Sequence, residues 1–406
     1  MIVKYIKYVV YLAIPLFLSG CNNDKPLIGK REAIDGITYN GMKLSPISNI
    51  KISAKYYPKL NNNLKMIWHK SISRKPILSN IVTDNKNLYT IDSQGYLNCI
   101  DKYTGKTVYK QFITNSLYGT ISINNGIVYI GTNTNEVVAF DTNNRKILWK
   151  KKFNRAIKGI PICIKNKVIV NTVNNCTYAL NKNNGNVIWS YSLGEENITI
   201  LSSSSTPVLY KNSVICTYSS GDVISLNIDD GSANWSTVLI PNYMYNSGAG
   251  LLQSVTKPII IGDKVLVSNT NSMMALLDAE TGTKIWEKKI GTISNPVIVN
   301  NKWIFIISDN NVLCIDFNNG NIQWKLDLTK LYKDKKSCKD CFWYGPVLIN
   351  NQLWIFCNNA EVFKLNLSDG KLIEKQYIHH VLHSDTPVID NNIMFAQVYG
   401  RIYALQ

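Results

Sequence analysis

One short pattern recurs along most of the chain and restricts the folds that are open to it. An apolar run ends at Asp or Asn, Gly follows three or four residues later, and a second run ends in an aromatic residue, as from Met273 through Asp278 and Gly282 to Trp286. Aligned on the Asp or Asn, the copies fall 38 to 51 residues apart, at Asp101, Asp141, Asn181, Asn227, Asp278, Asp316, Asn366 and Gln406. Eight copies at this spacing indicate a repeat architecture.

Each copy has the chemistry of a hairpin between two strands. The side-chain oxygen of Asp or Asn caps the amides of a tight turn, and Gly accepts the positive φ that such a turn requires. Short apolar segments such as residues 264–267 and 303–307 precede the copies and supply further strands. From Trp68 to Gln406 the chain has 339 residues. This is about 42 residues per copy, the size of a four-stranded propeller blade.

The aromatic position of the repeat indicates how the ring closes. The residues eight positions after the first seven turn residues are Tyr109, Trp149, Trp189, Trp235, Trp286, Trp324 and Glu374. The eighth copy ends with the chain and lacks its last strand, whereas Trp68 has the surroundings of such a strand with no copy before it. The sequence therefore predicts an all-β, eight-bladed β-propeller over residues 64–406, closed by the N-terminal strand around Trp68. We expect the tryptophans to pack on the turn of the next blade, in a structural role.

Prolines mark a third position of the repeat. They lie 19 or 20 residues before a turn residue, at Pro161, Pro207, Pro258, Pro296, Pro346 and Pro387. Because proline donates no hydrogen bond to a neighbouring strand, we expect each of them to begin the first strand of its blade.

The first 63 residues differ in composition from the repeat. Residues 1–20 contain two lysines, an apolar run too short to span a membrane, and Leu-Ser-Gly before Cys21, which resembles the lipobox of bacterial lipoproteins. This resemblance implies a signal peptide over residues 1–20 and lipidation of Cys21; an ordinary signal peptide is the alternative. Residues 21–63 have no strand or helix period and are interpreted as an extended, lipidated tether. Asn22, in place of Asp, favours sorting to the periplasmic face of the outer membrane.

The repeat resembles the tryptophan-docking repeat of quinoprotein-type eight-bladed propellers. With the lipobox and the tether, it resembles the BamB family of outer-membrane protein assembly lipoproteins. Two blade entries strengthen this resemblance, namely Phe342-Trp-Tyr-Gly-Pro-Val-Leu and Leu252-Gln-Ser-Val-Thr-Lys-Pro258. The resemblance implies a non-catalytic scaffold of the β-barrel assembly machinery. Such a scaffold binds the periplasmic part of the barrel-forming subunit and assists the insertion of outer-membrane proteins.

The resemblance also implies where the partner binds. The partner-binding segments of the family correspond here to residues 198–202 and 253–256, with contacts at Thr199, Leu201, Ser202, Gln253 and Val255. Leu201 matches an apolar contact, whereas the charged residues of the family are absent at Ser202, Gln253 and Val255. Both segments lie in long connections between blades, and recognition commonly resides in such loops. The alternative is that they only pack on the neighbouring blades.

Two other functions remain open from the sequence. A pyrroloquinoline-quinone-dependent dehydrogenase resembles this chain in its repeat, but the adjacent cysteines and long insertions of those enzymes are absent. A propeller that binds an envelope polymer would need a groove lined by aromatic residues. We expect no cofactor, no metal and no small-molecule substrate.

The cysteines contain one closely spaced pair, Cys338 and Cys341. Because envelope compartments are oxidising, a local disulfide between these two residues is expected. A zinc site that also uses His379, His380 and His383 is the alternative, although a lone CxxC pair is a weak zinc signal.

The net charge of +17 does not by itself indicate a nucleic-acid partner. The lysines are scattered through the repeat among many asparagines, and a secreted protein does not meet DNA. We therefore expect no nucleic acid, whereas attraction to acidic lipid headgroups or acidic protein partners remains open.

Overall fold

The computed structural model describes residues 59–61, 63–75, 77, 79–116, 119–193, 206–239, 256–269, 273–292, 294–332, 341–378 and 387–406. These residues form 32 β-strands, numbered β1 to β32 along the chain, and one 3₁₀ helix over Leu328–Leu331. Within these ranges there is no helix with the length and apolar character needed to cross a membrane.

The strands form eight antiparallel sheets of four strands each, the blades. Blades one to four are β2 (Val82–Thr83), β3 (Asn87–Ile91), β4 (Tyr96–Asp101) and β5 (Thr107–Phe112); β6 (Gly119–Asn124), β7 (Ile127–Thr132), β8 (Glu136–Asp141) and β9 (Lys146–Lys152); β10 (Ile157–Ile164), β11 (Lys167–Thr172), β12 (Cys176–Asn181) and β13 (Val187–Ser192); and β14 (Val208–Tyr210), β15 (Ser213–Thr217), β16 (Asp222–Asn227) and β17 (Ala233–Val238).

Blades five to eight follow the same order along the chain. They are β18 (Ile259–Ile261), β19 (Lys264–Ser268), β20 (Met274–Asp278) and β21 (Lys284–Lys288); β22 (Val297–Val299), β23 (Trp303–Ser308), β24 (Asn311–Asp316) and β25 (Ile322–Asp327); β26 (Trp343–Ile349), β27 (Gln352–Cys357), β28 (Glu361–Asn366) and β29 (Leu372–Tyr377); and β30 (Val388–Asp390), β31 (Ile393–Val398) and β32 (Arg401–Leu405) with β1 (Met66–Ser71). The predicted all-β, eight-bladed β-propeller is confirmed.

The N-terminal strand closes the ring, as predicted. β1 pairs antiparallel with β32, and Trp68 lies opposite Ala404. Beyond the strand ends, Lys65 and Gln406 exchange two backbone hydrogen bonds of 2.9 Å. The eighth blade is therefore built from both ends of the propeller sequence.

Residues that precede β1 also contact the ring. Leu60 and Leu64 are buried in a cluster with Trp354 of the seventh blade and Met394 of the eighth. The Leu60 amide donates to Oδ1 of Asn350, in the turn between β26 and β27, at 3.1 Å. The chain is thus already attached to the seventh blade before it enters the eighth.

The turns of each blade alternate between two ends of the ring, because each blade is an antiparallel meander. We call the end with the first and third turns the turn face, where the Ala279 amide donates to the Asp263 oxygen at 2.8 Å. We call the other end, with the second turns and the connections between blades, the connection face. There the Leu239 amide donates to the Gly221 oxygen at 2.9 Å.

The core lies between neighbouring blades. The second strands, such as β7 and β11, are buried along almost their whole length because an adjoining blade covers each of their faces. One cluster of the sixth and seventh blades contains Phe305, Trp324, Trp343, Ile355 and Phe363. Burial of apolar surface between blades is therefore the main force that holds the ring together.

Six of the eight blade boundaries have the predicted tryptophan contact. The indole Nε1 donates to a backbone oxygen in the turn of the next blade, at 2.8 to 3.1 Å, in the pairs Trp68–Lys102, Trp149–Lys182, Trp189–Ile228, Trp235–Ala279, Trp286–Phe317 and Trp324–Leu367. Each ring also covers the Gly of that turn, so that a Cβ added to Gly282 would lie 2.4 Å from Trp235 Cε3. The structural role of the tryptophans is confirmed.

The other two boundaries use different residues. Between the first and second blades, Tyr109 takes the Trp position and Arg145, with a φ of 55°, takes the Gly position. Between the seventh and eighth blades, Glu374 takes the Trp position and pairs with the buried Lys364 at 2.8 Å. The eighth blade has no Asp-to-Gly turn for a ring to cover, because its outer strand is β1.

The prolines fall into two groups. Four of them directly precede a first strand, namely Pro207, Pro258, Pro296 and Pro387. The prediction that every proline begins a strand is wrong for Pro161 and Pro346, which lie inside β10 and β26. At both positions the register with the next strand shifts at a bulge. A residue in the bulge is not paired with the next strand, so a proline there leaves no strand hydrogen bond unmade.

Candidate functional site

The predicted partner contacts belong to two connections between blades. Thr199, Leu201, Ser202, Gln253 and Val255 lie outside the described residues, so their assignment as partner-binding residues stays a prediction. By topology, the connection from β13 to β14 and the connection from β17 to β18 both leave from the connection face. They belong to successive blade boundaries of the ring.

The described ends of these two connections are attached to the ring. The Thr206 Oγ1 accepts a hydrogen bond from the Ile160 amide at 3.1 Å, which joins the fourth blade to the third. The Thr256 amide donates to the Ser268 oxygen at 2.9 Å, and Leu239 is fully buried. Segments that begin and end at such fixed points are presented by a rigid scaffold.

An exposed set of aromatic side chains lies on the connection face of the seventh and eighth blades. Phe342 precedes β26, Tyr377 ends β29, and Tyr399 lies in the turn between β31 and β32. Their exposed fractions of 65%, 59% and 57% are the largest among the large apolar side chains of the described residues. We call these three residues the aromatic rim. Large exposed aromatic groups on one face of a rigid scaffold make that face a candidate interaction surface.

Tyr332 organises the connection between the sixth and seventh blades. Its hydroxyl donates to Glu361 Oε2 and accepts from Asn359 Nδ2 at 3.0 Å. Lys375 Nζ lies 2.6 Å from Glu361 Oε1 and 4.6 Å from the Tyr332 ring centroid. Burial, and then the hydrogen bond to Glu361, raise the pKa of Tyr332 far above its usual range. The phenol therefore stays protonated and keeps its donor role.

The carboxyl group of this cluster is held in its charged form. Burial acts to raise the pKa of Glu361, but Lys375, Tyr332 and Asn359 together lower it below its ordinary value. The outcome is a charged, fully hydrogen-bonded cluster beneath the start of β26. It holds Tyr332, at the start of this connection, against the seventh blade.

The cysteine predictions are only partly within the described residues. Cys21 and Cys338 lie outside them, so lipidation and the Cys338–Cys341 disulfide stay predictions. Cys341 is partly buried, with Sγ 3.8 Å from Tyr332 Oη. The histidines of the alternative zinc site are also outside the described ranges. In the part of the chain that the structure describes, no group of three or more His, Cys, Asp or Glu side chains is placed to hold a metal ion.

A cavity of about 470 Å³ opens on the turn face between the first and second blades. Its one carboxylate, Asp84, accepts hydrogen bonds from the amides of Lys86 and Asn87 and from the Tyr89 hydroxyl. Burial raises the pKa of Tyr89 well above its usual value, so this phenol remains a donor. The carboxylate is thus engaged in its own turn.

Two of the three residues in the aromatic rim had no functional assignment from the sequence. Phe342 belonged to a blade entry that carried the family resemblance, whereas Tyr377 and Tyr399 had no assigned role. The available signal was weak: Tyr399 takes a turn position where another blade has Asn175, whereas the strand-end position of Tyr377 is also aromatic at Phe112.

A family model and several named relatives identify the family of this chain. The family model described as outer membrane protein assembly factor BamB matches residues 93–326. An uncharacterized protein of Rickettsia conorii is 23% identical over 369 residues, with 85% of this chain and 84% of that protein covered. The outer membrane protein assembly factor BamB of Moranella endobia is 21% identical over 334 residues, covering 79% of this chain and 83% of that protein.

Solved structures support the same fold. The crystal structure of BamB from Moraxella catarrhalis matches with a TM-score of 0.70 and 17% identity, covering 84% of this chain and 99% of that one. Quinohemoprotein alcohol dehydrogenases match with TM-scores of 0.60 and 0.59 at 10% and 12% identity. At such identities these likenesses show the propeller alone. Because the family model covers more than half of the residues, the chain belongs to the family of the outer membrane protein assembly factor BamB.

Proposed function

We propose that this protein is a non-catalytic scaffold of the outer-membrane β-barrel assembly machinery. It binds the periplasmic part of the barrel-forming subunit and assists the insertion of outer-membrane proteins. The observation that carries this proposal is the family match over residues 93–326. That match falls within a closed ring whose eight blades are all present.

The anchor and the location are part of the same proposal. Lipid on Cys21 holds the protein at the periplasmic face of the outer membrane, and the residues up to the ring act as a tether. Leu-Ser-Gly before Cys21 and Asn22 after it support this assignment. Leu60, near the end of the proposed tether, donates a hydrogen bond to Asn350 on the turn face of the seventh blade, which agrees with an attachment at that face.

The connection face is the surface that we assign to the partner. The connections that contain Leu201 and Val255 leave from it at successive boundaries, and the aromatic rim lies on the same face. A partner that contacts several blades gains affinity because the ring is rigid and little conformational entropy is lost on binding.

Dehydrogenase activity is the second candidate from the sequence. The structural likeness to quinohemoprotein alcohol dehydrogenases rests on identities of 10% and 12%, which bear on the fold and not on chemistry. The family match favours the scaffold over both the dehydrogenase and the polymer-binding alternative.

The test is affinity recovery of the tagged full-length protein from gently solubilised envelope, followed by mass spectrometry. We expect the barrel-forming subunit to be recovered with it. Leu201→Asp should lower that recovery several-fold, since a charge would replace the one apolar contact of the predicted segment. Leu148→Asp is the matched control, because Leu148 is an exposed leucine on the outer strand β9, away from the connection.

The outcomes separate the parts of this proposal. Equal recovery of the barrel-forming subunit with wild type and with Leu201→Asp would overturn the assigned contact at Leu201. It would not contradict the proposed scaffold function. Absence of the barrel-forming subunit from the wild-type sample would overturn the function. Binding of pyrroloquinoline quinone with calcium to the purified protein would then favour the dehydrogenase.

A further inference from the structure

Two cysteine sulfurs contact the same phenol oxygen in the connection to the seventh blade. Cys341 Sγ and Cys357 Sγ each lie 3.8 Å from Tyr332 Oη. Cys341 comes just before β26, and Cys357 is the last residue of β27. The two side chains therefore converge on one point although 15 residues separate them in sequence.

The backbone places these two cysteines on the same face of neighbouring strands. Trp343 of β26 lies directly opposite Cys357 of β27. The pairing extends by one further residue, since the Asn358 amide donates to the Phe342 oxygen at 3.0 Å and the Phe342 amide donates to Asn358 Oδ1 at 3.0 Å. Cys341 is thus fixed one residue beyond this pair, diagonally across from Cys357. Diagonal neighbours of this kind lie about 7 to 8 Å apart, slightly beyond the span of a disulfide, so closing the bond requires Cys341, at the end of the connection, to move toward Cys357.

Burial and the neighbouring thiol both keep Cys357 protonated in the reduced protein. Burial, with a smaller contribution from the Cys341 side chain, raises the pKa of the Cys357 thiol to about 12. Cys357 Sγ lies 3.3 Å from Asn358 Oδ1, which can accept its proton in a hydrogen bond. Cys341 is therefore a neighbour of Cys357, as their common distance to Tyr332 also indicates.

We propose that Cys341 and Cys357 form a disulfide bond in the exported protein, which joins the connection before β26 to the end of β27. The proposal rests on the proposed location in the envelope, where thiols meet disulfide-bearing oxidoreductases. Cys341 can form only one such bond, so this pairing competes with the Cys338–Cys341 pairing that the spacing of the cysteines predicts.

The order of the chemistry follows from exposure. Cys341 is partly exposed, whereas Cys357 has no exposed surface. The thiolate of Cys341 attacks the disulfide of an oxidoreductase and releases one thiolate of that enzyme. Cys357 Sγ, after losing its proton, attacks Cys341 Sγ and releases the second thiolate. The two cysteines lose two protons and two electrons, and the disulfide of the oxidoreductase is reduced to a dithiol.

The bond has a consequence for the connection face. Phe342 of the aromatic rim directly follows Cys341. Oxidation closes residues 341–357 into a covalent loop and restricts the backbone at Phe342 in both the folded and the unfolded chain. The bonded form therefore presents Phe342 to a partner from a more rigid position than the dithiol form does.

Tryptic peptide mapping tests the bond directly. Trypsin cuts after Lys339 and Lys364 and has no site between them, so Cys341 and Cys357 share one peptide while Cys338 lies in another. The full chain is prepared from envelope with acid quenching, and its thiols are alkylated before digestion. We expect the peptide of residues 340–364 to be two hydrogens lighter than the dithiol form and to carry no alkyl group. Reduction before alkylation should add two alkyl groups.

Three cysteine variants make the assignment specific. Cys338→Ser should keep the internal bond, whereas Cys341→Ser and Cys357→Ala should each leave the remaining cysteine of that peptide alkylated. A cross-link between the peptide of residues 340–364 and the peptide that contains Cys338 would overturn the proposal. Alkylation of both Cys341 and Cys357 in wild-type protein would also overturn it.

A second measurement separates geometry from location. The purified, reduced full chain is treated with oxidised glutathione and mapped in the same way. Formation of the internal bond in this reaction, together with alkylated thiols in protein from cells, would overturn the envelope location and the native bond with it. If the bond is absent in both samples while the barrel-forming subunit is still recovered, the proposed Cys341–Cys357 pairing is overturned. The proposed scaffold function would then stand.

Discussion

The guanidinium of Arg145 lies over the ring of Tyr109, with Cζ 4.9 Å from the ring centroid. At this boundary, between the first and second blades, both partners of the Trp-on-Gly pair are replaced, and the two replacements contact each other. Arg145 is in the left-handed region at the Gly position, and Tyr109 leaves room for its side chain. The two departures compensate for each other across the boundary.

We therefore expect Tyr109→Trp to be destabilising by about 1 to 3 kcal/mol, because the larger ring meets the Arg145 side chain. Arg145→Gly alone should change stability little, since it loses a cation–π contact of about 1 kcal/mol but relieves a positive φ of similar cost. The double variant should recover most of the stability lost in Tyr109→Trp. Urea unfolding of all four proteins gives the coupling energy, and simple additivity would contradict the compensation.

The Trp-on-Gly pairs predict a position-specific cost for a single methyl group. In Gly282→Ala the new Cβ would lie 2.4 Å from Trp235, at a φ of +73°. We expect a loss of about 2 to 4 kcal/mol, from the displaced indole together with the strained backbone.

Gly262→Ala is the matched control for this prediction. Gly262 has a φ of +59° and no atom within 4 Å of an added Cβ, so only the backbone cost of about 1 kcal/mol should appear. The difference between the two unfolding free energies measures the tryptophan contact. Equal losses would mean that the contact contributes nothing beyond the backbone conformation.

Closure of the ring depends on a strand that reaches the eighth blade from the far end of the chain. Trp68 is 9% exposed, and its Nε1 donates to the Lys102 oxygen at 3.1 Å. We expect Trp68→Ala to lower the unfolding free energy by about 3 to 5 kcal/mol. It should also increase hydrogen exchange along β32, because the packing and the hydrogen bond of Trp68 help to hold β1 against that strand.

Trp324→Ala is the control for ring closure. Trp324 makes the same contact at 3.0 Å with the Leu367 oxygen, but its strand follows directly from the other strands of its blade. The Trp324→Ala variant should lose a similar free energy of unfolding, but hydrogen exchange along β32 should stay as in wild type. Unchanged exchange along β32 in Trp68→Ala would contradict the role of Trp68 in closure.

The turn carboxylates give the protein a pH-dependent stability. Asp101, Asp141 and Asp278 have lowered pKa values, chiefly because the backbone amide three residues later donates to each carboxylate. Since the pKa is lower in the folded than in the unfolded chain, these caps contribute stability above pH about 4 and lose it as pH falls through the folded value.

Replacement of such a carboxylate by an amide keeps the cap and removes the titration. The chain already does this at three turns, with Asn181, Asn227 and Asn366. We expect Asp278→Asn to flatten the fall of Tm between about pH 7 and about pH 3. Asp263→Asn is the control, because it removes one negative charge from the β18–β19 turn of the same blade, outside the Asp-to-Gly turn. The fall of Tm with pH in this variant should match that of wild type. Equal curves for both variants would contradict the prediction.

The repeat could be predicted from sequence because each blade is built from neighbours in the chain. Asp278, Gly282 and Trp286 lie within nine residues, and the turn chemistry of the first two operates inside one hairpin. The count of blades, the tryptophan contacts and the closure by Trp68 all follow from that local pattern and from the copy that lacks its last strand. Prolines at bulges did not follow, because a shift in strand register has no local signal in the sequence.

The sequence by itself therefore determined the ring, and the tertiary structure decided what the ring brings together. Leu60 meets Asn350 from a position 290 residues away. Tyr332 collects Cys341 and Cys357, and Phe342, Tyr377 and Tyr399 come to one face. Strand and turn patterns report contacts between near neighbours in the chain. The contacts of Leu60, of Tyr332 and of the aromatic rim depend on how the blades are arranged around the axis, which no single repeat encodes.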